Sequence, residues 1–385
     1  MGIKDKRRMK FMSVEIKEVL TKNDLKKWVD FPNKMYKKIP AYVPFLFSDE
    51  METFTKGKNP AYEFCETKLF LAFKNGKIVG RIGGLINHAA NKKWGTNAIR
   101  FTRFDFVDDF EVSSALFDAV VKWGKARGYT KVMGPIGFTD MDHEGMLVEG
   151  FDELNMSITF YNFPYYIEHM EKLGLEKEVD WIEYQVFAPK EHDARLQRIS
   201  DFIQKKNGYE LVTYTDRKVL LKDAYEAFKV IDVAFSKLFG TVPLTDAVID
   251  KSIKDYIPLV NLKYICSIKD KSGKIVAFAV LVPSIAKALK KSNGRLLPFG
   301  LFRMLKALRG KNDTLEMFFI GVEPELQKQG LPAIVMNQIV KMCVDNGIKH
   351  CETGPELETN EAVLSLWKDF ETRQHRRRRC WKKEI

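Results

Sequence analysis

The chain has 385 residues, 45% of them hydrophobic, and a formal net charge of +12. That length and apolar content exclude a disordered chain and fit two globular domains. No apolar run approaches the roughly 18 residues a membrane span needs, and the basic opening MGIKDKRRMKFMSVEI lacks the apolar core of a secretory signal.

The charge is unevenly placed. Residues 1–12 form a short basic arm, the stretch 285–312 holds eight Lys/Arg and no acid, and the tail 371–385 holds seven Lys/Arg against two Glu. The rest of the chain is net acidic, so a surface that coats nucleic acid is not implied. The five cysteines (Cys65, Cys266, Cys343, Cys351, Cys380) are odd in number and lack C-x-x-C spacing, which predicts free thiols and a cytoplasmic location. The six histidines show no paired-ligand spacing, so no metal is expected.

LFLAFKNGKIVGRIGGLINH (69–88) reads as two strands around an Asn-Gly turn. A strand over 100–109 follows, then an amphipathic helix over 113–129 stopped at Gly128, then a strand over 130–138 that runs into Gly134-Pro135. The next loop begins like a calcium loop with Asp140, Asp142, Glu144 and Gly145, but its twelfth position is Phe151, which excludes that reading. Following a sheet strand, this loop is the expected acceptor-binding surface, with His143 as a candidate acid–base residue and Tyr161, Asn162, Tyr165 and Tyr166 close behind. A polar segment, 188–208, reads as a linker or helix.

The same order then recurs. YICSIKDKSGKIVAFAVLVPS (264–284) is a second hairpin, and both hairpins carry Gly-Lys-Ile-Val, at Gly76 and Gly273. The basic stretch 285–312 is an insertion whose segment 300–310 puts Leu301, Met304, Leu305 and Leu308 on one helical stripe, expected to pack on its own protein, with a lid or acidic-partner contact and an anionic membrane surface as alternatives. TLEMFFIGVEP (314–324) is a strand, 331–348 a helix ending at Gly347, and the strand after it runs into Gly354-Pro355. Shared order and paired Gly-Pro predict a duplication: an α/β chain of two units, 13–187 and 209–385, each a mixed sheet flanked by helices. Arg376 to Arg379 read as a last strand with solvated arginines.

Between the strand and helix of the second unit lies Gln327-Lys328-Gln329-Gly330. A glycine turn at a helix N-terminus offers free N–H groups to an anion. Strand, Gln-x-x-Gly, Ala333 and helix resemble the GNAT acetyltransferase superfamily, as does Asn360 opening a later helix with Trp367 seven residues on. The resemblance implies a sheet splayed between its central strands and an acyl-CoA co-substrate, acetyl-CoA or another. It places coenzyme at Gly321, Val322, Gln327, Lys328, Gln329, Gly330, Leu331, Ala333, Asn360 and Trp367, with main-chain N–H groups at Gly321 and Val322 facing the oxyanion. It also implies Glu316 as the general base for N-acetyl transfer to the amine of a small molecule or peptide, with Glu352 and Glu356 in reserve. Two residues depart from the pattern. Pro332 removes one N–H, and Trp367 lacks the hydroxyl that protonates a departing thiolate. Those departures leave a non-catalytic acyl-CoA-binding protein as one alternative. The three basic segments leave another, an aminoacyl-tRNA-dependent transferase that contacts tRNA or an anionic surface. In the first unit Asp108, Asp109 and Glu111 stand where phosphate would sit, so that copy reads as degenerate.

Overall fold

The computed structural model describes residues 13–385; the basic arm expected over residues 1–12 lies outside them. The first half contributes β1 (Glu15–Glu18), β2 (Cys65–Lys74), β3 (Lys77–Asn87), β4 (Ala98–Phe106), β5 (Lys131–Gly134), β6 (Met146–Glu149) and β7 (Glu176–Phe187). The second contributes β8 (Glu210–Thr213), β9 (Ile265–Lys269), β10 (Ile275–Pro283), β11 (Thr314–Val322), β12 (His350–Thr353), β13 (Glu356–Leu357) and β14 (Thr372–Glu384). All belong to one mixed sheet of 14 strands, in the order β1-β2-β3-β4-β5-β14-β7-β12-β11-β10-β9-β8, with β6 against β14 and β13 against β7. Helices flank it.

Both hairpins form as the turn residues dictate. Asn75 and Gly76 both take positive φ, 53° and 73°, the geometry whose twist matches antiparallel strands. The helix Phe110–Lys125 lies so close on β3 that a Cβ added at Gly84 would meet the Trp123 ring at 2.9 Å.

Each half repeats one irregularity. Arg81 and Gly83 of β3 pair with Asp105 and Thr102, so β4 carries one extra residue. Val280 and Leu281 of β10 pair with Phe319 and Met317, so β11 carries one extra residue, Phe318. Such bulges bend a strand and re-aim its side chains. Just before them along the chain the parallel pairs part: β4 stays on β5 only over 98–100 and β11 on β12 only over 314–317. Two partings of one sheet, each beside a matching bulge, support a duplicated unit.

The halves do not close separately. β14, from the end of the chain, lies between β5 and β7, and β7 in turn pairs with β12. The exchange is held by buried charge. Glu183 is fully buried and takes hydrogen bonds from both Arg376 and Arg378, while Asp180 accepts from Arg377 and Arg379. Burial alone would raise the Glu183 carboxyl, but the two guanidinium groups outweigh it and hold it below its ordinary value. The expectation of solvated arginines over 376–379 is therefore corrected: Arg376 and Arg378 face inward, because alternate residues of a strand covered on both sides are enclosed. The segment 188–208 is also more than a connection. Its helix, Ala194–Asn207, packs on the helix Leu331–Asn346, where the Asn337 amide donates to Gln197 Oε1 at 3.1 Å.

Candidate functional site

Where β11 leaves β12, its edge toward β12 has no strand partner beyond Met317. The chain then makes a tight 3-10 turn, Pro324–Gln329, and enters the helix Leu331–Asn346 through Gly330, whose φ of 87° is open to glycine at little cost. A Cβ there would meet Ile203 Cδ1 at 2.5 Å. Gln327, Lys328 and Gln329 are exposed on this turn; the Gln327 amide points back to the Val322 carbonyl, and Tyr209 donates to Gln329 Oε1 at 2.9 Å. No side chain caps the helix, so no side-chain acceptor competes with a ligand at its first turn. Leu331 is buried beneath the turn, and the Ala333 N–H is spent on the Gly330 carbonyl.

In the first half the corresponding helix start is already filled. Asp109 caps its own helix by accepting from Glu111 N, and Lys74 bridges Asp109 and Glu111 at 2.6 and 3.0 Å.

Across the parting from β11 stand Gly354, β13 and the segment that follows. Asn360 Oδ1 accepts weakly from Val363 N, and Trp367 is buried with its indole N–H on both Glu356 oxygens, at 2.9 and 3.1 Å. Burial pushes the Glu356 carboxyl up to about 8 against the pull of that N–H. Trp367 thus acts on a neighbouring acid.

Glu316 sits on β11 opposite Val282 and is 2% exposed. Ser284 Oγ donates to its Oε1 at 2.6 Å and Ser157 Oγ to its Oε2 at 3.0 Å. Burial pushes it up to about 7, the two hydroxyls pull it down, and the nearby Glu352 charge adds to the rise. The bulge settles its face. Paired neighbours share a face, so Glu316, opposite Val282, and Phe319, opposite Val280, point the same way although three residues separate them.

Although Glu316 itself is not among the lining residues, Phe319, Val280 and Val282 line a cavity of ≈ 610 Å³ between the halves. Its walls are mainly apolar: Phe278, Val280 and Val282 from β10, Phe318 and Phe319 from β11, and Met304 and Leu308 from the insertion. Ser157, which holds Glu316, is also in the wall. The polar side holds Asp49, Asp142 and Asp255, with Asp255 paired to Lys251 at 2.7 Å. His143 lines it too, its ring tilted 49° to Phe45 with centroids 3.9 Å apart and its Nδ1 3.0 Å from Asp142 Oδ1. Buried Arg103 binds both Glu50 and Asp142, so those two acids are neutralised.

Other expected site residues lie elsewhere. Glu352 accepts from Arg376 Nη2 at 2.7 Å; although burial opposes it, the His350 and Arg376 contacts hold its carboxyl down at about 2, an ion-pair partner rather than a base. Tyr161, Asn162 and Tyr166 are buried in the first half and do not form an acceptor surface. Asn162 braces the Leu147 backbone, Tyr161 donates to the Phe151 carbonyl, and Tyr166 accepts from Phe106 N while stacking on that ring. Tyr165 donates to the Phe106 carbonyl at 2.6 Å and edges a separate concavity. Aromatic rings with satisfied hydroxyls pack well, so here they serve the core. The cavity draws on the helices Arg217–Phe235 and Asp246–Tyr256, whose contributions are too scattered in sequence to form a motif. Among the described residues, no cluster of His, Cys, Asp or Glu is placed to hold a metal ion.

No family model matches the chain. It is 27% identical over 384 residues to Protein YghO of Escherichia coli, covering 96% of this chain and 95% of that protein. It is 24% identical over 376 residues to a bacterial ceramide synthase of Caulobacter vibrioides, covering 95% and 96%. In structure it is similar to a tandem GNAT protein from the clavulanic acid biosynthesis pathway, with a TM-score of 0.54 and 12% identity over 97% of this chain and 98% of that one. It is also similar to the glucosamine N-acetyltransferase region of a fungal multi-domain β-N-acetylglucosaminidase, with a TM-score of 0.56 and 12% identity over 96% of this chain and 38% of that one.

Proposed function

We propose, from the premise that the chain has a tandem GNAT-type fold, that it is an N-acyltransferase joining the acyl group of an acyl-CoA thioester to the primary amine of a long-chain, lipid-like acceptor. The observation that carries this reading is the raised carboxyl of Glu316, held at 3.0 Å by Ser157 of the cavity wall and placed beside the parting of β11 and β12. A cavity of this size and lining suits a long apolar chain, and Asp49, which lines it and forms no ion pair among the described residues, suits an ammonium head. The name of the Caulobacter relative supports the acceptor class, since a ceramide is an N-acylated long-chain amino alcohol.

In this reading the uncapped helix start at Gly330 and the turn 327–329 hold the diphosphate of the coenzyme. Glu316, ionised, takes a proton from the acceptor ammonium; with its carboxyl near 7 it balances basicity against ionisation at neutral pH. The amine nitrogen attacks the thioester carbonyl, and the unpaired edge of β11 presents the main-chain N–H of Val322 to the oxyanion, while the Gly321 N–H turns the other way, toward β10. The C–N bond forms, the C–S bond breaks, the departing thiolate takes a proton, and the nitrogen sheds its second proton to the group that supplied it, restoring that acid. Glu356 still holds its proton at pH 7 and is the candidate donor, filling the part left open by the missing hydroxyl at Trp367.

The test is incubation with a long-chain acyl-CoA and a long-chain amino alcohol, reading free thiol and amide together. Equal amounts of thiol and amide, both lost in Glu316→Gln, are expected. Thiol without amide, or amide formation untouched by Glu316→Gln, contradicts the proposal.

A further inference from the structure

The insertion 285–312 is tied down on one side and unpartnered on the other. Beneath, Lys290 donates to the Ile39 carbonyl at 2.9 Å and Arg295 pairs with Asp30 at 2.9 Å while covering the Phe47 ring. Met304 and Leu308 of its helix, Gly300–Arg309, face inward to the cavity. The outer side is different. Leu297 is 80% exposed, Phe299 63%, Leu301 48% and Phe302 70%, four large apolar side chains within six residues. Around them Lys291, Lys306, Arg309 and Lys311 are exposed, and none of these forms an ion pair among the described residues. Leu301 belongs to both sides, since it lines the cavity and is half exposed, so the cavity opens at this tip.

From this arrangement we infer that the tip 297–302 docks on an anionic lipid bilayer, with its aromatic side chains among the acyl chains and the surrounding cations on the headgroups. Exposed apolar clusters of this kind mark interaction sites. A basic amphipathic helix lies in the bilayer interface when its apolar face and its cations act together. The excess of cations with no acid selects an anionic partner, and the large apolar side chains select a bilayer over RNA, whose backbone offers them nothing to enter. The docked tip places the cavity mouth at the lipid surface, so a long-chain amine passes from bilayer to Glu316 without crossing water. That last step rests on the proposed function; the docking itself does not.

The experiment is co-sedimentation of the full chain with vesicles of phosphatidylglycerol mixed equally with phosphatidylcholine, against phosphatidylcholine alone, at low and high salt. Binding to the anionic vesicles alone, weakened by salt, is expected. Lys291→Ala, Lys306→Ala and Arg309→Ala together lower vesicle affinity on the order of 100-fold, since each cation near such a surface contributes about fivefold. Phe299→Ser with Phe302→Ser lowers it as well. Both variants keep the melting temperature and the turnover of a short, water-soluble amine. Equal binding to the two vesicle types, no binding to either, or preferential binding to added tRNA that the triple variant loses overturns the docking. Vesicle binding without acyl transfer sinks the functional reading alone, and transfer to a soluble amine without vesicle binding sinks the docking alone.

Discussion

Replacing Glu316 by Gln is expected to remove activity and yet stabilise the protein at alkaline pH. The carboxyl is buried between Ser284 and Ser157, and its ionisation moves from 4.5 to about 7 on folding. At 1.36 kcal/mol per pH unit, ionising it inside the fold costs about 3 kcal/mol. Because the folded value is the higher one, the stabilising preference for the protonated form is complete below about 4.5 and is lost as the pH climbs past 7. Gln has the same shape and, with rotated serine hydroxyls, keeps both hydrogen bonds, so it escapes the penalty. For a chain of 385 residues unfolding near 60 °C, about 2.1 cal/mol/K per residue converts that energy to about 4 °C. Thermal melts of both proteins at pH 5 and pH 8.5 measure it: Glu316→Gln gains about 4 °C on the native chain at pH 8.5 and little at pH 5. An identical difference at the two pH values would show that Glu316 titrates like a solvated carboxylate, and its role as a base near neutrality would go with it.

kcat/KM rises with pH through about 7 as Glu316 ionises and falls past about 8 as Glu356 loses its proton, and Glu356→Gln abolishes the alkaline limb. If the apolar cavity takes the acceptor chain, each methylene removed from the amine lowers kcat/KM by up to about fourfold, from about 0.8 kcal/mol per buried CH₂, and a flat chain-length series refutes it. Gly330→Ala forces a left-handed alanine against Ile203, costing about 1–2 kcal/mol, and weakens coenzyme A binding measured by calorimetry. Glu183→Gln leaves Arg376 and Arg378 without their shared carboxylate and destabilises by about 3–5 kcal/mol in urea unfolding.

Local chemistry made parts of this molecule readable from its residues. Asn75-Gly76 specifies its turn, the two Gly-Pro steps mark where the sheet parts in each half, and Gln327 to Gly330 mark an uncapped helix start. The face of Glu316 was not readable, because the extra residue at Phe318 breaks strict alternation, and a bulge depends on the register with β10 rather than on β11 alone. The arginines over 376–379 look like a solvated run because their partner, Glu183, lies nearly 200 residues earlier. The aromatic cluster at 161–166 has the composition of a binding surface, but whether such rings face a ligand or a core is decided by what covers them, here Tyr36 and Phe106. The large cavity left no sequence signature, since its walls come from β10, β11, the insertion and two separate helices.

The position of β14 governs how the protein can be assembled. On a ribosome the first half emerges with a gap between β5 and β7 that only residues 372–384 fill. Until then two strand edges with open hydrogen-bonding groups wait for a partner, and a nascent neighbour could supply one. Cutting the protein at its apparent midpoint would therefore give two incomplete products, each missing a strand carried by the other, while co-expression of the pieces would let them knit together.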